Sequence, residues 1–397
     1  MELAINGGKP IRSTPLYYGK QYIDDADIEA VVETLKAPLI TTGPKVEELQ
    51  NRLCQITEAK YGVAMANGTA ALHGACFAAG IGVDDEVITT PMTFAASSNS
   101  VLYLGGKPVF ADINPETYNI DPQKVEEAIT KKTKAVIAVD YTGQAAELDK
   151  LIEICKEYNL VLIEDASHSI GTKYKNKPVG SIADLTTFSF HPVKTITGGE
   201  GGAVMTNREE YRKKLLLFRT HGITREEEMF NNVPHGTWYY EQLSLGYNFR
   251  LTDIQSALVI SQLNKLDAFS RRRKEITKQY DEAFYESEMV VTQKVIPESD
   301  TTSHLYVLQL NLEKLTVDRK GFFDALWAEN ICCNVHYIPV YYSPYYEQLG
   351  YKKGICPKAE RLYERIITLP LYYSMTNQDV EDVINGVFKA LNFYRKQ

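Results

Sequence analysis

From about residue 60 onwards, the chain alternates short β-rich runs with amphipathic helical segments. This alternation is typical of a mostly parallel sheet with helices on both faces. One segment carries Leu148, Leu151, Ile152 and Cys155 at the i, i+3, i+4, i+7 spacing of a helix that buries one face. Helices are predicted to begin near Thr69, Thr93, Pro122 and Leu148. The seven predicted strands are 61–66, 86–90, 108–111, 135–140, 160–164, 186–190 and 203–206.

The hydrophobic pattern changes in the last third of the chain. One long helical stretch runs from Thr252 into the 280s, and strands near 304–310 and 332–337 then flank a helix around 320–328, before a last helix that starts near Thr376. A chain of 397 residues is too long for one small core, because single cores stop growing near roughly 250 to 300 residues. We therefore expect a large α/β domain over 1–270, including the N-terminal segment, and a smaller α+β domain over 271–397.

Composition and charge exclude several classes of protein. Apolar residues make up 44% of the chain and charged residues 24%, which is ordinary for a folded globular protein. The net charge of −8 is spread along the chain, and no basic run has the density of a nucleic-acid site. The nearest run, 271–274 (RRRK), lies in the long helical stretch, where a solvated or subunit-contacting face is the simpler interpretation.

The cysteines and the N-terminal residues indicate a cytoplasmic protein. The six cysteines have no Cys-x-x-Cys spacing, so free thiols are expected and no metal site is predicted. The N-terminus has no basic stretch followed by an apolar one, and no apolar run approaches the roughly 20 residues of a membrane span. A cytoplasmic protein without a membrane segment is the expectation.

The residues that follow the predicted strands suggest where chemistry occurs. Open α/β sheets bind ligands at the carboxyl ends of their strands. After the first strand, Asn67, Gly68 and Thr69 form a turn that opens into a helix, and free N–H groups at a helix N-terminus suit a phosphate. Alone this signal is weak, since such turns and caps are common for structural reasons.

Two further strand ends carry ionisable residues. Glu164 and Asp165 end a buried strand, where a carboxylate needs a cationic partner or hydrogen bonds; a protonated pyridine nitrogen would be such a partner, and a structural cap is the equally open alternative. Lys194 follows another strand and precedes a glycine-rich stretch that includes 198–202. A lysine desolvated there could present a neutral amine for Schiff-base chemistry.

Taken together, these stretches resemble the DegT/StrS-type sugar aminotransferases, which are fold-type I pyridoxal-phosphate enzymes. The resemblance covers nearly the whole chain, and the order and spacing of its motifs make it specific. The motifs are 40–44 (ITTGP), 67–69 (NGT), 91–94 (PMTF), 164–168 (EDASH), 189–194 (SFHPVK), 246–250 (GYNFR) and 335–337 (VHY).

The resemblance implies a fold with a large, mostly parallel seven-stranded sheet domain, a smaller C-terminal α+β domain, pyridoxal 5'-phosphate as cofactor, and a homodimer with shared active sites. Lys194 would form the Schiff-base link and shuttle the proton, and Asp165 would keep the pyridine nitrogen protonated. The other cofactor contacts it implies are Gly68, Thr69 and Ser189 at the phosphate, Phe94 stacked on the ring, and Asn248 reaching the phosphate from the partner subunit.

Other residues have less certain roles. His168 sits beside the Asp165 turn and is predicted to contact the cofactor, although a purely structural histidine is as well supported. Arg250, His336 and Tyr337 are predicted to bind substrate or the donor carboxylate, with a domain interface as the alternative. The aromatic stretch 341–346 (YYSPYY) could line the nucleotide-sugar cleft or pack the small domain.

Within the family, 191–197 (HPVKTIT), 248–251 (NFRL) and 303–307 (SHLYV) most resemble the transaminases that make UDP-4-amino-4,6-dideoxy-N-acetyl-β-L-altrosamine in pseudaminic acid synthesis. This implies L-glutamate as donor and a UDP-4-keto-6-deoxy-N-acetyl-hexose, aminated at C4, as acceptor. Gly198 departs from relatives that often have Thr there. Aminotransferases for bacillosamine, legionaminic acid or perosamine stay open, as does a non-catalytic cofactor-binding regulator; Lys194 argues against a sugar dehydratase, which would have His there.

Overall fold

The structure is a computed structural model that describes residues 2–396. The α-helices are α1 (Asp25–Lys36), α2 (Pro44–Thr57), α3 (Gly68–Ala78), α4 (Ala96–Leu102), α5 (Pro122–Glu127), α6 (Leu148–Glu157), α7 (Glu209–Arg219), α8 (Asp253–Leu263), α9 (Leu266–Phe284), α10 (Arg319–Ala328), α11 (Pro344–Gln348), α12 (Pro357–Tyr363) and α13 (Asn377–Tyr394).

The strands are mostly short outside one large sheet. They are β1 (Leu16–Tyr17), β2 (Tyr61–Met65), β3 (Glu86–Thr89), β4 (Lys107–Phe110), β5 (Thr133–Val139), β6 (Val161–Asp165), β7 (Lys173–Tyr174), β8 (Lys177–Pro178), β9 (Leu185–Ser189), β10 (Gly202–Thr206), β11 (Ile223–Thr224), β12 (Glu241–Gln242), β13 (Val290–Thr292), β14 (Ser299–Asp300), β15 (Tyr306–Leu310), β16 (Ile331–Cys332) and β17 (Ile366–Leu369).

The large sheet has seven strands in the order β2-β10-β9-β6-β5-β3-β4. The strands β9, β6, β5, β3 and β4 pair in parallel, and β10 runs antiparallel to both of its neighbours. All seven strands predicted from the sequence form this sheet, so the predicted α/β class and the mostly parallel sheet are confirmed. Because β10 alone is reversed, the other six strands place their carboxyl ends at one edge.

Local sequence signals explain where several helices begin. The Asn67 side chain accepts a hydrogen bond from the Ala70 N–H (2.8 Å) and so caps α3. Thr376 and Asp379 form a capping box that starts α13. Hydrophobic spacing brings Leu148, Leu151 and Cys155 to the buried face of α6, as predicted.

Three element boundaries differ from the prediction. α4 begins at Ala96 instead of near Thr93, because 91–93 form a bend after β3. The predicted long helix is two helices, since α8 ends at Leu263 and α9 begins at Leu266. The strand predicted over 332–337 is reduced to β16, and most of that segment is irregular.

Two separate hydrophobic clusters correspond to the two halves of the fold. One cluster packs around the large sheet and includes Phe269, whereas another includes Ile276, about two turns further along α9. The domain boundary near residue 270 stays a prediction, and this division between the clusters supports it. The N-terminal Leu3 and Leu16 lie in the C-terminal cluster, and β1 pairs with β16.

One interpretation of the basic run 271–274 needs correction. Arg273 is only 3% exposed, and its guanidinium donates to the carbonyls of His304 (3.1 Å) and Leu371 (2.9 Å). Position 273 falls on the inner face of α9, so this arginine ties two segments together instead of facing solvent.

The six cysteines are free, as predicted. Within residues 2–396, no helix is both long and apolar enough to cross a membrane.

A buried ion pair anchors the N-terminal segment. Lys389 and Glu329 lie 2.8 Å apart, with side chains 4% and 0% exposed. Glu329 also accepts hydrogen bonds from the N–H groups of Ala4 and Ile11, each at 2.8 Å. One carboxylate therefore holds a cation and two stretches of backbone.

We expect Lys389→Met to destabilise the fold by about 3–5 kcal/mol, because it leaves the Glu329 carboxylate buried without its cation. The matched control is Lys320→Met, which breaks a solvent-exposed pair with Asp324 and should leave the stability almost unchanged. Urea denaturation of both variants measures the difference. Equal midpoints for the two variants would contradict this account of the pair.

Candidate active site

One cavity of about 620 Å³ opens at the edge of the sheet where six strands place their carboxyl ends. The turn after β2, the end of β6 and the segment after β9 all contribute lining residues, as expected for an open α/β sheet. Nine of the predicted site residues line it: Gly68, Thr69, Phe94, Asp165, His168, Ser189, Lys194, His336 and Tyr337.

One end of the cavity is a cradle formed by the N-terminus of α3 and the end of β9. Gly68 packs so closely on Ser189 that a Cβ at position 68 would lie 2.8 Å from the Ser189 Cβ. Gly68, Thr69 and Ser189 thereby present backbone N–H groups and hydroxyls together at the positive end of a helix dipole. This arrangement suits a phosphate group.

Asp165 is held at the middle of the cavity by two serines. The Ser97 hydroxyl donates to Oδ2 (2.6 Å), and Ser167 donates to Oδ1 through its hydroxyl (2.6 Å) and its N–H (3.2 Å). The residue is 5% exposed. Three donors therefore hold this carboxyl in one orientation inside the cavity.

Lys194 lies on the segment between β9 and β10, with its N–H bonded to the His191 carbonyl at 2.9 Å. It is the only lysine or arginine among the described residues that line the cavity. Burial lowers the pKa of Lys194 to about 8, and the Asp165 charge opposes this effect. A substantial fraction of the amine is therefore neutral slightly above neutral pH, as nucleophilic chemistry requires.

Neutral imidazoles surround these two charges. Burial lowers the pKa of His168 well below its usual range and that of His336 to about 3, and Lys194 adds to both effects. The His168 Nε2 lies 3.0 Å from the Tyr337 hydroxyl, and the His336 Nδ1 lies 2.9 Å from the Thr368 hydroxyl. These groups can orient ligands by hydrogen bonding without adding positive charge.

Phe94 differs from the other predicted residues that line the cavity in being exposed. Its side chain is 65% exposed at the mouth of the cavity, although large apolar side chains usually pack. An exposed ring beside polar groups offers a stacking surface for a planar ligand.

Asn248 and Arg250 do not line this cavity. Asn248 is exposed and pairs with Thr220 in an isolated bridge, and Arg250 lies near the partly buried Arg219. Asn248 was expected to act from a partner subunit, so its place on the surface leaves that prediction open.

No residue of the aromatic stretch 341–346 lines the cavity, and two of its tyrosines are packed in the core. Tyr341 and Tyr346 are 0% and 2% exposed, and the Tyr346 hydroxyl pairs with Ser98 and Asn99 of α4, each at 2.7 Å. Since α4 also carries Ser97, Tyr346 stabilises the helix whose Ser97 hydroxyl donates to Asp165.

Comparison with known proteins decides the class of this site. Residues 21–388 match the model of the DegT/DnrJ/EryC1/StrS aminotransferase family. The chain belongs to this family. It is 41% identical to the spore coat polysaccharide biosynthesis protein SpsC of Bacillus subtilis, over 94% of this chain and 96% of SpsC.

Two further relatives of this DegT/StrS aminotransferase bear on its activity. The UDP-4-amino-4,6-dideoxy-N-acetyl-β-L-altrosamine transaminase of Campylobacter jejuni is 37% identical over 96% of this chain and 98% of its own. The PLP form of Spr1654 from Streptococcus pneumoniae superposes with a TM-score of 0.89 at 31% identity, covering 96% of this chain and 99% of that one. The protein is a sugar aminotransferase of fold-type I, and its cofactor is pyridoxal phosphate.

The cavity fits this cofactor. The cradle matches a phosphate, the exposed Phe94 face matches a planar ring, and the serine-held Asp165 matches a protonated ring nitrogen. Lys194 supplies the one amine of the described lining.

Sequence reasoning missed several lining residues. Ser97 lies about one helical turn after the PMTF motif and donates to Asp165. The run of small polar residues at 97–100 (SSNS) is the only local sign of a site residue there. Tyr18 reaches the cavity from the N-terminal segment, where no motif indicates it. His304 lies in the 303–307 motif but was given no role at the site.

We expect Gly68→Ala to weaken retention of pyridoxal phosphate at least tenfold, because the new Cβ would lie 2.8 Å from the Ser189 Cβ. The control is Gly82→Ala, where the nearest atom to the new Cβ would be 3.9 Å away. Equilibrium dialysis of the loaded proteins gives the dissociation constants. Unchanged retention in the Gly68 variant would refute the cradle.

The lowered pKa of Lys194 predicts its reactivity in the cofactor-free protein. Its neutral fraction should rise with pH through about 8, so reductive methylation of Lys194 should reach half its maximal rate near that pH. Lys320 is the control, because a hydrogen bond to Asp324 raises its pKa above the ordinary value. Peptide mass spectrometry after timed labelling follows both residues, and a midpoint for Lys194 as high as that of Lys320 would contradict the prediction.

Proposed function

We propose that this aminotransferase transfers the amino group of L-glutamate to C4 of a UDP-4-keto-6-deoxy-N-acetyl-hexose, giving UDP-4-amino-4,6-dideoxy-N-acetyl-β-L-altrosamine for pseudaminic acid synthesis. The observation that carries the reaction is the pairing of Lys194 and the serine-held Asp165 in one cavity. The 37% identity to the Campylobacter jejuni transaminase supports the choice of sugar. The higher identity to SpsC, at 41%, keeps another 4-keto nucleotide sugar as the alternative.

In this proposal the two charged residues have separate tasks. Pyridoxal phosphate supplies an electron sink for the negative charge that is left when a proton leaves the donor carbon. Lys194 takes that proton on Nζ and returns one during transfer, which requires the neutral amine that burial favours. Asp165 would face the ring nitrogen of the cofactor and hold a proton there.

The neighbouring side chains would orient the bound groups. We assign the phosphate to Gly68, Thr69 and Ser189, and one face of the ring to Phe94. His168 and Tyr337, joined by a 3.0 Å hydrogen bond, would contact the cofactor and substrate. His336 is placed beside them and would add a substrate contact.

The charge of the cavity supports a shared site in a homodimer. The cofactor phosphate, the donor carboxylates and the UDP diphosphate are all anionic, yet Lys194 is the only lysine or arginine in the described lining. More cationic and polar groups must approach from outside the cavity. We propose that Asn248 and Arg250 contribute to the active site of the partner subunit, with Asn248 at the cofactor phosphate. The cytoplasmic location expected from the sequence stays a prediction.

A shared site predicts complementation between inactive variants. Lys194→Ala and Asn248→Ala proteins should each have little activity. When equal amounts are unfolded and refolded together, about half of the dimers should be mixed, and each mixed dimer has one site with both residues intact. Activity should therefore return in about one quarter of all sites. A mixture no more active than its parents would contradict the shared site. Refolding each variant alone is the control.

The substrate is tested by half-reactions. L-glutamate should convert the loaded protein to its amine form, and the UDP-4-keto-L-arabino-hexose derivative should restore the original absorbance. Restoration by another keto sugar only would keep the mechanism and replace the acceptor. If glutamate never changes the spectrum while pyridoxal phosphate is bound, the donor or the catalytic role is wrong and a non-catalytic regulator becomes the better account.

A further inference from the structure

A second carboxyl pair lies next to Asp165 and has no part in the proposed mechanism. Asp140 follows β5, Glu164 belongs to β6, and the register places Ala138 beside Glu164 and Val139 beside Asp165. Side chains alternate faces along a strand, so Glu164 points away from the face that Asp165 uses. Both members of the pair are 0% exposed.

No cation accompanies this pair. Asp140 accepts hydrogen bonds from the Ser169 hydroxyl (2.5 Å) and the Ala146 N–H (3.0 Å). Glu164 accepts one at Oε2 from the Thr186 hydroxyl (2.8 Å), and its Oε1 is buried without a partner. Within residues 2–396 neither carboxyl forms an ion pair with a lysine, arginine or histidine.

Two buried carboxyl groups in this arrangement require a proton. Asp140 lies two residues after Ala138, the residue paired with Glu164, so the two side chains are neighbours on one face of the sheet. Ionised carboxylates only accept hydrogen bonds, so a bond between them requires one to be the donor. Asp140 has two donors that stabilise its charge, the Ser169 hydroxyl and the Ala146 N–H. Glu164 has the Thr186 hydroxyl and an approach from the Gly180 N–H, and its Oε1 has no partner. A proton on Glu164 gives that side chain a hydrogen-bond acceptor in Asp140.

We propose that Glu164 is a protonated carboxylic acid at neutral pH that donates to Asp140 and thereby keeps a second full negative charge from forming behind Asp165. Glu164 is in this account a positioning residue, since it acts through Asp140 and Asp165. What it does for the cofactor rests on the proposed role of Asp165, but its protonation state does not.

The electrostatics of the pair agree in direction. Burial raises the pKa of Glu164 well above its ordinary value, and the charge of Asp140 raises it further. Burial also raises the pKa of Asp140 to about 7, with Asp165 adding to the effect and the Ser169 and Ala146 hydrogen bonds opposing it. Both shifts favour a proton on the pair, and the shift is larger at Glu164.

Infrared spectroscopy of the cofactor-free protein tests the protonation state directly. The wild type should have a carboxylic-acid C=O band at pH 7.5 that Glu164→Gln removes and Asp140→Asn retains. Glu288→Gln, at an exposed position, is the control and should remove only carboxylate bands. Loss of carboxylate bands alone in Glu164→Gln would overturn the proposal, and so would loss of the acid band in Asp140→Asn but not in Glu164→Gln.

A measurement on the wild type guards against variants that do not fold. With glutamate labelled at its side-chain carboxyl carbon, one resonance should keep the chemical shift of a protonated acid between pH 6 and 8. If every glutamate resonance has the shift of a carboxylate in that range, the proposal is wrong.

The loaded protein provides a third readout. Glu164→Gln exchanges one neutral group for another, so the pH midpoint of the cofactor's visible absorbance should match the wild type. Asp140→Asn removes a negative charge and should lower that midpoint by roughly half a pH unit or more. A comparable fall in Glu164→Gln would mean that Glu164 is ionised. Because the infrared and labelling results need no amino transfer, failure of this proposal is separable from failure of the proposed reaction.

Discussion

The site depends on one constraint, which is that the Asp165 carboxyl must be held in a nearly buried position. A carboxylate out of water is unfavourable unless hydrogen bonds or a cation compensate it. Ser97 from α4 and Ser167 from the turn after β6 provide those hydrogen bonds in the protein itself. The ring nitrogen of the cofactor would be the cation that completes the compensation.

Much of the surrounding structure supports this arrangement. β6 lies between β9 and β5 in the large sheet, so Asp165 is fixed by strands on both sides. Tyr346 from the C-terminal part of the chain bonds to Ser98 and Asn99 and so holds α4 in place. Arg273 bonds to the His304 carbonyl and ties α9 to a segment that lines the cavity. Both halves of the fold thus contribute to the position of one carboxylate.

The sequence predicted the features that short-range patterns encode. Each of the seven strands of the large sheet is a compact apolar run, and Lys194 and Asp165 follow two of those runs, so their meeting at one edge follows from the parallel topology. The break between α8 and α9 was missed because Asn264 and Lys265 interrupt the helix without a glycine or proline. Arg273 was misjudged because burial of an arginine depends on carbonyls 31 and 98 residues away. Ser97 could not be linked to Asp165, 68 positions later, without the packing of α4 on the sheet.

The protonation state of the cofactor's ring nitrogen tests the central claim most directly. Nitrogen NMR of the protein loaded with ¹⁵N-labelled pyridoxal phosphate reports whether that nitrogen carries a proton. The account predicts a protonated nitrogen in the wild type near neutral pH and an unprotonated one in Asp165→Asn. An unprotonated nitrogen in the wild type, with the cofactor bound at Lys194, would contradict it.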